Sequence, residues 1–264
     1  MAKLINTQFE SEMEEGDTLH IPQISNLTAR AKSAGTDVTF ETFTEGVINV
    51  SIDKHYYAAF EVEDIVEVQA NQDLRARYTD KMGYALGRQM DADLLALYSG
   101  LSQSVGVQGT NITLANFLRA VQYLDDADAP AGDRFAVITP AQMHVILNLD
   151  DFILQSEMGY TAEQSPRVTG HLIGGQFNPT EVKGPFGMIF GVKVHISNNV
   201  QTTGTSPLSY HNLLFQRDAF LLIRQQNIRV QAQYKVESLA TDVVADTLYG
   251  VSEYRDTFAC RILT

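Results

Sequence analysis

The strongest periodic signal in the chain is a row of apolar residues four apart. Leu74, Tyr78, Met82, Leu86, Met90, Leu94 and Tyr98 recur through "QDLRARYTDKMGYALGRQMDADLLALY", with Ala85 and Leu97 beside them. That recurrence places side chains on one helical face. It predicts a helix from about Ala70 to Tyr98, about 40 Å long at ~1.5 Å per residue. In a chain of 264 residues such a helix acts as a strut. Gly83 and Gly87 each cost roughly 1 kcal/mol inside a helix. Their spacing predicts close approach of another backbone.

The other patterns are shorter. Residues 1–16 are polar and read as an arm. In "GDTLHIPQI", Leu19 and Ile21 alternate before Pro22, which predicts an edge strand because proline removes a ladder donor. The run "LTARAKSAGTDVTFETFTEGVINVSI" leans toward β structure but is polar on both faces. A hairpin of this kind has no core of its own, so it must project into solvent or lie on a neighbouring subunit. Helices are expected from Thr113 to Asp125, with Thr113 as N-cap, and from Pro140 onward. "GDRFAVITP" predicts a buried strand. The stretch from Gln155 to Gly187 predicts long loops, and "GMIFGVKVHIS" two strands turning at Gly191. In "IRVQAQYKV", Ile228, Val230, Ala232, Tyr234 and Val236 alternate with polar residues, which predicts a half-buried strand. "FACRILT" closes the chain as a strand.

The stretch "IDKHYYAAFEVEDI" poses the question of catalysis. As a strand it places Asp53, His55, Tyr57 and Glu61 on one face and Tyr56, Ala58, Phe60 and Val62 on the other. Asp53 and Glu61 then lie roughly 26 Å apart, too far for joint action. Asp53 and His55, about 6.6 Å apart at Cα, can touch, so a metal-dependent or acid/base enzyme using these two is the alternative of another class. The rest of the sequence favours no enzyme. Six histidines show no metal-ligand spacing. "GHLIGGQF" lacks the strand, helix and lysine of a phosphate loop. No serine sits in a nucleophile elbow, and Cys260 lies in a strand without a base nearby. No cofactor and no metal are predicted.

Charge narrows the partners. The net charge is −13. The main basic cluster, Arg75, Arg77, Lys81 and Arg88, alternates with Asp73, Asp80 and Asp91, which reads as a solvated helix face rather than a nucleic-acid groove. No apolar run approaches the ~18 residues of a membrane span. The N-terminus lacks a secretory pattern, and a lone cysteine fits a reducing compartment.

The order of segments resembles the major capsid proteins of tailed bacteriophages, with the Hong Kong ninety-seven type fold. The likeness rests on "GDTLHIPQISNLTAR", a polar hairpin, "VSIDKHYYAAFEVEDIVEVQANQDL" and the long helix, followed by "GVKVHISNNV", "LLFQRDAFLLIRQQ", "VQAQYKV" and "LYGVSEYRDTFACRIL". It implies an α+β phage capsid fold. The parts would be an N-terminal arm (1–16), an extended β-hairpin loop (17–62), a peripheral domain with the spine helix (63–109), an axial α/β domain (110–220) and peripheral return strands (221–264). "IDKHYYAAFEVEDI" would be the returning strand of the extended loop.

The likeness also implies a structural role. Copies would self-assemble as pentamers and hexamers into an icosahedral head, built in the host cytoplasm, that encloses double-stranded DNA without strong specific binding. Scaffolding and portal proteins are implied partners, and a decoration protein is a further one. The arm is short for the family, which implies an upstream stretch that is missing or cleaved, and the lack of a scaffolding-like extension before the fold implies a separate scaffold or a processed chain. The inter-subunit contacts would include Lys32, Phe40, Glu41, Phe43, Glu45, Arg75, Arg77 and Lys81. No covalent crosslink is expected at Lys32. An encapsulin-like compartment shell is the alternative within the same fold.

Overall fold

A computed structural model describes residues 1–10, 16–23, 29–35, 37, 38, 40, 46–65, 74–147, 187–204 and 208–264. The N-terminal half contains β1 (Thr18–Gln23), β2 (Gly46–Ser51), β3 (Lys54–Glu63), α1 (Leu74–Ala96), β4 (Ser104–Gly106) and α2 (Leu114–Asp126). There follow β5 (Arg134–Ile138), α3 (Pro140–Leu147), β6 (Gly187–Ile189), β7 (Val192–Ile196), β8 (Thr202–Thr203) and β9 (Ser209–Gln216). The chain closes with β10 (Phe220–Lys235), β11 (Ala240–Glu253) and β12 (Ala259–Leu263).

Three sheets result. β1 and β2 pair antiparallel, with Gln23 opposite Gly46 at the open end. β10, β11 and β3 form an antiparallel sheet in that order. The largest sheet runs β4-β12-β9-β5-β7-β6, with β8 beside β9. Its centre is the main core, where Phe135, Phe215, Leu213, Leu214, Ile262 and Phe220 are buried with Phe117, Ala120 and Leu124 of α2. Every residue of β5 is buried: Phe135 to Ile138 form an uninterrupted apolar run, and the Arg134 guanidinium is paired with Asp125. Thr113 caps α2, its hydroxyl accepting from the Asn116 amide at 3.2 Å. Phe190 and Gly191 both take positive φ at the β6–β7 turn, where glycine is needed.

The stripe of α1 is buried at Met82, Leu86, Met90 and Leu94. Met82 and Leu86 pack on Val243 and Ala245 of β11 and on Tyr56, Ala58 and Phe60 of β3. Tyr78 is half-exposed and Ala85 is exposed, so the apolar face is narrower than the sequence implies. The described helix starts at Leu74, and the predicted turn at 70–73 lies outside the described residues. Residues 155–186 of the predicted loops also lie outside them.

Four expectations need correction. The strand returning from the hairpin is β2, not "IDKHYYAAFEVEDI". The latter forms β3 and pairs with β11 in register Tyr57 to Asp246. The strand "IRVQAQYKV" is present but exposed on both faces, because α1 covers β3 and β11 and leaves the outer strand β10 bare. A Cβ added at Gly83 or Gly87 would meet nothing within 4 Å, so no backbone of the described chain approaches them. Finally, the closing strands divide between sheets, with β12 inserted between β4 and β9.

The first ten residues are docked. Ile5 is buried in the main core, Asn6 bridges to Leu221, and Glu10 holds Arg224 through two bonds of 2.7 and 3.2 Å.

Candidate functional site

The surfaces that carry the predicted residues lie on the hairpin, on α1 and on the three-stranded sheet. Lys32 is exposed, and Phe40 is 93% exposed with Val38 nearby at 58%. Glu41, Phe43 and Glu45 lie outside the described residues. Arg77 and Lys81 stand on the outer face of α1, while Arg75 is half-buried.

The strand alternation of "IDKHYYAAFEVEDI" is present. Tyr56, Ala58, Phe60 and Val62 point toward α1, and His55, Tyr57, Ala59, Glu61 and Glu63 toward solvent. His55 does not meet Asp53. Its Nε2 lies 3.2 Å from Asp246 on the neighbouring strand. Asp246 also accepts from Arg229 at 2.7 and 3.0 Å and from Gln226 at 3.0 Å. The Arg229 guanidinium, with His55 and Gln226, holds the Asp246 carboxyl down at about 2. One carboxylate therefore ties all three strands together where β10 carries two register shifts. Lys235 and Asp242 pair at 2.5 Å further along. Sequence reasoning missed this clamp; its only trace was an aspartate inside the apolar run "VVADTLY".

The remaining chemical candidates resolve as structure. Cys260 is fully buried, and desolvation pushes its thiol up to about 12. Among the described residues, no three metal-ligating side chains converge. The Tyr249 hydroxyl, raised by burial, donates to Asp93 at 2.9 Å.

His211 is buried, stacked on Tyr98 at 4.0 Å, with Nε2 2.9 Å from the Thr203 hydroxyl. Burial, then the charge of Arg261, lowers its pKa below 6.5. The half-buried His195 shifts the same way, again chiefly through burial. The folded state thus prefers both imidazoles neutral. Above pH ~6.5 neither state is protonated and nothing is lost; below it the unfolded chain takes up protons first, and stability falls. We expect the melting temperature of the unassembled chain to drop as the pH falls below ~6.5, and His211→Gln to flatten that slope. An unchanged slope would contradict this account.

A model of the phage capsid protein family matches residues 6–152, more than half of the chain. The chain belongs to the phage capsid protein family. Its role is that of a structural major capsid protein of the virion, not an enzyme, and Asp53 and His55 are surface residues of the three-stranded sheet region. No curated protein matches the chain. Among solved structures, that of Mycobacterium phage Che8 is similar at a TM-score of 0.74 and 20% identity, with 99% of this chain and 89% of that chain covered. The capsid of Ralstonia phage GP4 is similar at 0.68 and 16%, covering 99% and 87%. The head structure of Helicobacter pylori bacteriophage KHP40 is similar at 0.69 and 12%, covering 94% and 85%. These likenesses place the capsid protein in the α+β phage capsid fold. Among its described residues, no helix is long and apolar enough to cross a membrane.

Proposed function

We propose that this capsid protein assembles with copies of itself into pentamers and hexamers of an icosahedral head enclosing double-stranded DNA. The observation that carries the reading is the hairpin. Every described residue from 29 to 40 is exposed, and the apolar side chains of Val38 and Phe40 among them are left uncovered. A neighbouring subunit supplies the cover. In this reading Lys32, Phe40, Glu41, Phe43, Glu45, Arg75, Arg77 and Lys81 contribute to inter-subunit contacts. The arm occupies 1–16; the extended loop is the part of 17–62 that precedes β3; the peripheral domain lies in 63–109 and 221–264 without β4 and β12, which join the sheet of the axial domain, 110–220.

A net charge of −13 supports a container that encloses DNA without gripping it. Scaffolding and portal proteins, and a decoration protein, are the further partners of assembly in the host cytoplasm. Particles purified from infected cells and treated with nuclease test the reading. Protected double-stranded DNA is expected; particles free of DNA and carrying a co-purified enzyme would point to a cargo compartment instead.

A further inference from the structure

The unit built from α1 and the three-stranded sheet is a slab of two layers, and its two outer faces carry opposite charge. On α1, Arg77, Lys81, Tyr84 and Arg88 follow one another at spacings of four, three and four. This places them on one side of the helix, opposite the buried Met82 and Leu86. All four are exposed, Tyr84 by 70%.

The aspartates that interleave with these cations in the sequence do not neutralise them all. Asp91 is taken by the Met1 amino group and the Ala2 amide, each at 3.0 Å, and only Asp80 flanks the row in the described helix. Arg88 donates to the Asn199 side chain at 3.0 Å, a neutral partner. Arg77, Lys81 and Arg88 have no ion pair among the described residues.

The opposite face is the solvent side of the sheet. Its two cations, Arg229 and Lys235, are spent on Asp246 and Asp242. Glu61 and Glu63 remain exposed without an ion pair among the described residues, Glu61 accepting only the Ser238 hydroxyl at 3.1 Å. An exposed tyrosine, Tyr57 at 73%, sits on this face, as Tyr84 sits on the other. Each patch thus sets an exposed tyrosine, a residue enriched at interface centres, beside unpaired charge of one sign, which suits the polar rim and fixes orientation.

We propose that the basic row of α1 in one copy docks on the acidic sheet face of the next. This rests on the reading of the protein as a self-assembling shell subunit. Two different patches on one chain make a head-to-tail contact, which closes into rings when the rotation allows. Opposite charge also sets the direction of the contact, because a reversed neighbour would meet like charge.

Charge reversal tests the contact. The doubly substituted chains Arg77→Glu/Lys81→Glu and Glu61→Lys/Glu63→Lys are each expected to raise the critical assembly concentration tenfold or more. Their isolated subunits should melt as wild type does, since all four positions are exposed. Combining all four changes in one chain is expected to restore assembly. Higher salt should weaken wild-type assembly by screening these exposed charges.

If wild type assembles and both reversed variants assemble equally well, or if the combination fails to rescue, the docking contact is wrong while the shell reading stands. If wild type never assembles, the shell reading itself fails. If Arg77→Glu/Lys81→Glu forms normal particles that have lost nucleic acid, the row binds phosphates rather than a second copy, and the inference is overturned.

Discussion

Replacing residues 24–45 with a two-residue Asn-Gly turn is expected to abolish assembly and leave the fold intact. The register explains why such a graft closes. Gln23 stands directly opposite Gly46 at the end of the β1–β2 ladder, the geometry that a two-residue turn spans. The base of the hairpin is anchored independently: Ile21, Val50 and Ile52 pack with Leu221 and Ile223. None of those residues is removed. The described residues of the deleted segment are exposed, so little buried apolar area is lost and stability should change by about 1 kcal/mol or less. Circular dichroism and melting of the unassembled chain read the fold; sedimentation under assembly conditions reads the loss. A variant that unfolds, or one that still assembles as wild type does, would show that the hairpin is not the subunit bridge.

The second large effect comes from a single methyl group. Gly250 of β11 lies where this strand crosses the end of β2. A Cβ there would overlap the Ser51 carbonyl oxygen and stand 3.1 Å from its carbon and 3.3 Å from Ile52 Cα. All three atoms are backbone, so relief requires the hairpin base to move off the sheet. That movement pulls Val50 and Ile52 from their cluster with Leu221 and Ile223. Gly250→Ala is therefore expected to destabilise the subunit by about 2–4 kcal/mol, the range of overpacking combined with lost core contacts. The helical glycines provide the opposite sign within the same experiment. Gly83 and Gly87 have open space beside them, and alanine at either is expected to stabilise the isolated subunit by up to about 1 kcal/mol. Urea denaturation of the three variants decides the matter; equal effects at all three would refute the steric argument.

Much of this architecture was legible from residue patterns because those patterns record burial within the chain. The four-residue stripe of α1, the uninterrupted apolar run of β5 and the alternation of β3 each name the face that meets the core. The pattern misled where the partner was missing. "IRVQAQYKV" alternates as strongly as any strand in the molecule, yet Val230 is 49% and Tyr234 47% exposed. Alternation reports that one face is apolar, not that this chain covers it. The same limit applies to Gly83 and Gly87, whose spacing predicted a close backbone that the described chain does not provide.

The charged clamp was hidden for another reason. His55, Asp246, Gln226 and Arg229 are separated by up to 191 positions, and only the strand register unites them. His55 and Asp53, adjacent in the sequence pattern, take different surroundings. Asp53 borders an open cleft of about 330 Å³ beside Lys54, Asn49 and Asp93. Proximity along a strand was thus a poor guide to chemical pairing, while strand order, which residue spacing does not encode, decided it.

Electron microscopy of the wild-type chain, purified alone and from cells that also make its scaffolding protein, tests the central claim most directly. The account predicts closed shells of uniform size built from pentamers and hexamers. A small soluble oligomer under every condition tried would contradict it.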